Sequence, residues 1–204
     1  MMSAFHLSWR KAVALSVMLL ALMFIHMTGG AANAQTAAGA GTTTTNYTAQ
    51  EIVDAGHNFF GSTAGGLAKV VEQAFQQYGL PNGYILGQEA SGAFIGGLTY
   101  GEGQLFTKNA GNHQLFWQGP SLGLDYGGQG SRAMMLVYHL PSVDGVYGRF
   151  AGVSGSAFVV AGVGMQVMRR DTVLVVPIRT GVGARLGLNI GYLKLPPSPT
   201  WNPF

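Results

Sequence analysis

The chain has 204 residues and a formal net charge of +3, with only 9% of residues charged against roughly 25% in an average soluble domain. It contains no cysteine, which excludes disulfides, iron–sulfur clusters and thiolate zinc sites. Its 32 glycines follow no collagen period, and 11% aromatic residues with a small net charge are the opposite of a disordered composition. A folded, glycine-rich domain or a membrane barrel remains.

Arg10 and Lys11 precede an apolar run from Ala12 to Met27, and Ala32-Asn33-Ala34 follows Gly29 and Gly30. The order positive, apolar, small is that of a secretory signal over residues 1–34, with cleavage expected between Ala34 and Gln35. As an uncleaved anchor the run is short, because sixteen helical residues cover about 24 Å of a ~30 Å hydrocarbon core. Export predicts a periplasmic protein, and no cysteine is present to carry a lipid anchor. Loss of Arg10 and Lys11 leaves nine basic residues against eight acidic ones. Nucleic-acid binding needs clustered positive charge, so no nucleic-acid partner is expected.

Residues 35–47 are small and polar and read as a linker. Thr48-Ala49-Gln50-Glu51 matches a capping box, and Ile52, Ala55, Phe59 and Phe60 give the short helix after it an apolar face. A second helix is predicted over Ser62 to Tyr78, with Leu67, Val70, Val71, Ala74, Phe75 and Tyr78 at helical spacing. Gly79 in the αL conformation and then Pro81 should end it.

From Gly83 the period changes to two. Strands are predicted at Gly92 to Gln104, Gln114 to Gln118, Ser121 to Tyr126, Arg132 to Leu140, Ser156 to Met168, Thr172 to Arg179 and Ala184 to Leu195. Turns fall at residues 109–112 and 127–130, and Arg169-Arg170-Asp171 reads as a hairpin turn. Val143 to Phe150 is a short helix or a loop. Met134 to Val137 and Val173 to Ile178 are apolar on both faces, as for strands with core inside and the helices outside. Strand glycines permit curvature, so the fold expected is mainly β: a small soluble antiparallel barrel of about eight strands, with N-terminal amphipathic helices packed on it. That domain would span residues 48–195. Phe94, Leu98, Leu136, Phe158, Leu188 and Ile190 favour a filled interior. The tail, residues 196–204, holds four prolines and must be extended, with Trp201 and Phe204 docked on the domain.

Gly119-Pro120-Ser121-Leu122-Gly123 matches the hydrolase G-x-S-x-G pattern, with Asp125 and His139 following in order. The serine lacks the strand-to-helix context, so a serine hydrolase is only an alternative and no catalytic residue is assigned. His57, His113 and His139 are too far apart in sequence to form a local ligand pair, and no metal or cofactor is expected. Glu102, set in glycine-rich strand, is a candidate polar contact for a ligand. Arg132, Arg149, Arg169, Arg170, Arg179 and Arg185 are candidates for a cationic patch. A ligand groove is expected near Tyr100, Glu102 and Trp117, with Arg132 and Arg179 as further binding residues. An outer-membrane barrel ending at Phe204 is the first alternative, ahead of the serine hydrolase, and is opposed by the prolines that break the terminal segment.

The segment AQEIVDAGHNFFGSTAGGLAKVVEQAFQQYGLPNGYI and the closing GLNIGYLKLPPSPTWNPF resemble the envelope integrity protein A (EipA) family of alphaproteobacterial periplasmic proteins. The resemblance implies a small soluble barrel without enzymatic activity, required for envelope integrity under stress. A more distant similarity joins Gly92 to Gly103, Trp117 to Pro120 and Ala184 to Lys194 to the SYLF domain, a lipid-binding module, although no lysine-rich stretch is present. The expected partner is an envelope lipid, a glycan or a periplasmic protein, with peripheral membrane contact at most.

Overall fold

A computed structural model describes residues 44–61, 65–92, 98–120, 131–180 and 191–202. The signal segment with Ala32, Ala34 and Gln35 lies outside them. So do the predicted strand at 121–126, the 127–130 turn, most of the 184–195 strand, Phe94, Arg185, Leu188, Ile190 and Phe204.

Helix α1 spans Ala49–Phe60, and Thr48 caps it as its sequence predicts. The Glu51 amide donates to Thr48 Oγ1 at 3.3 Å while Glu51 Oε2 accepts from the Thr48 amide at 2.7 Å. Helix α2 spans Leu67–Tyr78, starting later than Ser62. Gly79 closes it at φ 76°, but its ψ of −148° is not the αL value expected.

Ten strands follow: β1 Gly83–Gly92, β2 Leu98–Thr107, β3 Gly111–Pro120, β4 Ser131–Tyr138, β5 Gly148–Gly152, β6 Phe158–Val160, β7 Val163–Met165, β8 Met168–Arg170, β9 Val173–Thr180 and β10 Tyr192–Leu195. Pairing runs β4-β1-β2-β3-β10-β5-β8-β9, and β9 pairs back onto β4, closing an eight-stranded antiparallel barrel. Closure leaves these strands no free edge.

Several boundaries differ from the sequence reading; Arg169 and Arg170, expected in a hairpin turn, belong to β8, and the turn is Asp171 and Thr172. Gly92 to Gln104 is not one described strand: β1 ends at Gly92 and β2 begins at Leu98, because glycine-rich alternation runs on in the sequence past the end of β1. Ser156 to Met168 divides at Ala161 and Gly162, whose φ values of 47° and 75° form a tight turn between β6 and β7. The stretch from Val143 gives one short 3-10 turn, Val143–Val146, and then the unforeseen strand β5.

Strands β7 and β8 lie in sequence along the same edge of β9 and are separated at Gln166 and Val167. The Pro177 carbonyl faces that gap and accepts from the Gln166 amide at 3.3 Å. In an antiparallel strand the amide points the same way as the carbonyl, and proline has none to give. The ladder therefore breaks opposite Pro177.

Alternation along β4 and β9 sorts the core into two layers. Ala133, Met135, Val137, Val173 and Val175 face the barrel interior, which is filled by Ile85, Leu105, Leu115, Trp117, Phe150, Met168 and Leu193. Met134, Leu136, Tyr138, Val176 and Ile178 face outward onto Ile52, Leu67, Val70, Val71 and Ala74 of the helices. Two-sided burial is why these strands read as continuously apolar. The interior is filled as expected, but Leu136 belongs to the helix-facing layer and Phe158 only packs against it.

Candidate functional site

Trp117 on β3 points into the barrel over β1 and β2, and two glycines, Gly87 and Gly101, make room for it. A Cβ on Gly101 would lie 2.1 Å from Trp117 Cε2, and one on Gly87 2.6 Å from its Cη2. Gly103 pairs with Gly87, and a Cβ there would meet the Leu86 carbonyl oxygen at 2.3 Å. The indole N–H donates to Glu89 Oε2 at 3.2 Å.

Glu89 also accepts from Arg179, Nε to Oε1 at 2.6 Å and Nη2 to Oε2 at 3.0 Å. Both side chains are buried, Glu89 at 5% and Arg179 at 8% exposure. Ala133 on β4 lies between the two strands they come from, opposite Gly87 on one side and Arg179 on the other. Its short side chain lets the pair close across it. The carboxylate is thus fully used inside the wall, and Arg179 is not available at the surface.

On the outer face of the same three strands, the register builds a grid. Gln88, Glu102 and Phe116 form one row across β1, β2 and β3; Ala90, Tyr100 and Gln118 form the next, continued by Lys194 on β10. The tail crosses this face, held through its backbone. Tyr100 Oη donates to the Trp201 carbonyl at 3.0 Å, Lys194 Nζ donates to the Asn202 carbonyl at 2.8 Å, and Gln118 Nε2 donates to the Thr200 carbonyl. The Trp201 ring sits 5.4 Å from the Tyr100 ring at 58° and stays 84% exposed, so its backbone docks but its side chain does not, contrary to expectation.

Between strands and tail lies a groove of about 460 Å³ lined by Gln88, Ala90, Tyr100, Glu102, Phe116, Gln118, Pro199, Thr200 and Trp201, with Glu89 and Trp117 at its floor. That size is within the ~300–1,000 Å³ of small-molecule sites. Gln118 is 2% exposed, and its Oε1 has no hydrogen-bond partner among the described residues. Glu102 is exposed on the rim, and among the described residues no lysine, arginine or histidine lines the groove.

Of the predicted binding residues, Tyr100 and Glu102 share this outer face, whereas the Trp117 side chain is fully buried inside the barrel beneath it. Arg132 lies apart, on the outer face of β4, where it donates to the Phe59 carbonyl at 2.6 Å and covers the Phe59 ring. The predicted cationic patch divides: Arg149, opposite Lys194, and Arg169 share the outer face of β5 and β8, while Arg132 and Arg179 lie elsewhere. Arg149 covers Tyr192, Arg169 donates to the Asp171 carbonyl, and Arg170 donates to the Tyr147 and Gly145 carbonyls. Missed by the sequence reading were Gln88, Phe116 and Gln118, whose signal is only register, and the Glu89 partner of Arg179.

His139 Nδ1 lies 3.2 Å from the Thr172 carbonyl oxygen, at the end of β4. Ser121 and Asp125 lie outside the described residues. Pro120, the residue before Ser121, pairs with Leu98 at the other end of the barrel from His139, so the described part brings no support to a serine triad.

Residues 45–204 match the family model described as envelope integrity protein A, EipA. Among solved structures, a β-barrel-like protein from Brucella abortus is 69% identical, with a TM-score of 0.75, over 78% of this chain and 99% of that one. No curated protein matches the chain.

Proposed function

The chain belongs to the envelope integrity protein A family, and from that premise we propose that it supports the cell envelope from the periplasm by holding a ligand, without catalysing a reaction. The observation that carries this reading is the groove over β1, β2 and β3, where the Trp201 ring is presented to solvent on a backbone tied at three points. An aromatic ring held in place by its backbone binds at low entropic cost.

Two features favour a periplasmic rather than a membrane-embedded barrel. Membrane barrels carry an apolar band outside and a polar interior. Here the interior is apolar and filled, while Gln88, Glu102, Gln104 and Gln114 are exposed on the outer face of β1–β3. The apolar outer face of β4 and β9 is covered by α1 and α2.

The test is native mass spectrometry of protein released by osmotic shock, beside the detergent sensitivity of a strain lacking it. A retained mass on the wild-type protein, with hypersensitivity restored by the wild-type gene but not by Trp201→Ala, is the expected result. Recovery only in detergent-extracted membranes, or full restoration by Trp201→Ala, would overturn the reading.

A further inference from the structure

We propose that the groove between the β1–β3 outer face and the tail is a saccharide site that takes a neutral oligosaccharide, an inference that rests on the binding role above and names its ligand class. Three observations converge on it. The Trp201 ring is 84% exposed and stands beside Tyr100, while the chain that carries it is hydrogen-bonded to the barrel. An exposed, pre-positioned ring offers its face to the C–H face of a pyranose and keeps its orientation when unliganded.

The polar groups beside the rings are hydroxyl-binding groups. Glu102 and Gln88 stand opposite one another across β1 and β2, both exposed. Gln118 Oε1, under the tail beside Thr200, lacks a donor among the described residues. A buried acceptor without a donor is unfavourable, and a ligand hydroxyl or amide N–H arriving where the tail meets β3 relieves it.

Charge and shape exclude the other envelope ligands. Among the described residues no lysine, arginine or histidine lines the groove, and Lys194 beside it is tied to the Asn202 carbonyl, so a phosphate headgroup would meet Glu102 first. An acyl chain needs an enclosed apolar cavity, but the barrel interior is filled and the groove has Gln88, Glu102 and Gln118 in its wall. An added peptide strand needs a free edge, whereas β2 is paired on both sides. The groove also binds rather than cleaves. Glycoside hydrolysis uses two carboxyl groups, and here Glu89 is committed to Arg179 and Trp117, leaving Glu102 as the one other carboxyl group among the described residues that line the groove.

The experiment is calorimetric titration of the purified protein with chitotetraose and maltotetraose, and separately with phosphatidylglycerol vesicles. Saturable binding of a tetrasaccharide, weakened about tenfold or more by Trp201→Ala and largely kept by Trp201→Phe, is expected. Because Trp201 is exposed, the thermal melt of Trp201→Ala should match wild type; Gln88→Ala is the second variant and should weaken binding as well. Vesicle binding that needs Trp201, without saccharide binding, would overturn the saccharide assignment and leave the binding role standing. Binding of neither probe, with Trp201→Ala complementing the deletion strain fully, would overturn both.

Discussion

Glu89 and Arg179 meet across the small side chain of Ala133 inside the barrel wall, with two nitrogen–oxygen contacts of 2.6 and 3.0 Å. The guanidinium fork suits this two-point geometry, and the Trp117 N–H engages the same carboxylate. The pair therefore locks β1, β3 and β9 directly beneath the groove. Breaking one partner strands a buried charge. Glu89→Ala or Arg179→Ala should each cost about 3–5 kcal/mol in urea unfolding, while Glu89→Leu with Arg179→Met should recover most of the loss. A double-variant loss equal to the sum of the two single losses would show that the pair is not a coupled unit.

Gly101 has no room for a side chain under the Trp117 indole. Gly101→Ala is expected to destabilise by about 1–3 kcal/mol through overpacking. Adding Trp117→Phe should make that second substitution less costly than it is in the wild-type background, which a thermodynamic cycle would read directly.

Tyr138 is buried between barrel and helices, and its hydroxyl has no partner among the described residues. Burial pushes its pKa upward. Tyr138→Phe keeps the ring beside Tyr78 and removes the unmet hydroxyl, so stability should rise by about 1 kcal/mol. A loss of stability would mean that the hydroxyl is satisfied in solution.

Glu51 ties the α1 cap to the β2–β3 turn through Lys108, with Nζ 2.8 Å from Oε1. The Lys108 hydrogen bond first, and then the Thr48 amide, hold its carboxyl down at about 2. A lowered folded pKa means that this contribution is complete above the unfolded value of ~4.3 and fades as pH falls through about 2. The pair is half-exposed, so the effect is small. Glu51→Gln should flatten the stability profile between those values, and a profile unchanged from wild type would dismiss the link.

Leu136 marks the seam between barrel and helices. Leu136→Ala should cost about 2–5 kcal/mol, whereas Leu80→Ser, at a half-exposed position, should cost little. Comparable losses would contradict the two-layer core.

Local chemistry was legible in the chain. The Thr48–Glu51 box, the α2 stripe, the alternation after Gly83 and the double-sided apolar runs of β4 and β9 each carry their own period or cap, because capping and amphipathic burial depend on neighbours a few residues away. Strand ends were less legible where glycine-rich alternation runs on past a strand, as after β1, or where a two-residue turn hides inside an apolar run, as at Ala161 and Gly162. Tyr100, Glu102 and Trp117 could be singled out by residue type.

Only the tertiary structure decided which arginine goes where and what stands beside Tyr100. Arg179 is sealed against Glu89 and Arg132 caps the helix end at Phe59, because strand parity and register, not spacing, assign each side chain to the inside or outside of the wall. The same register places Gln88 beside Glu102 and Gln118 beside Tyr100, and barrel closure brings β10 and its tail against β3. These pairings join residues far apart in the chain, and no local pattern in the amino-acid order encodes them.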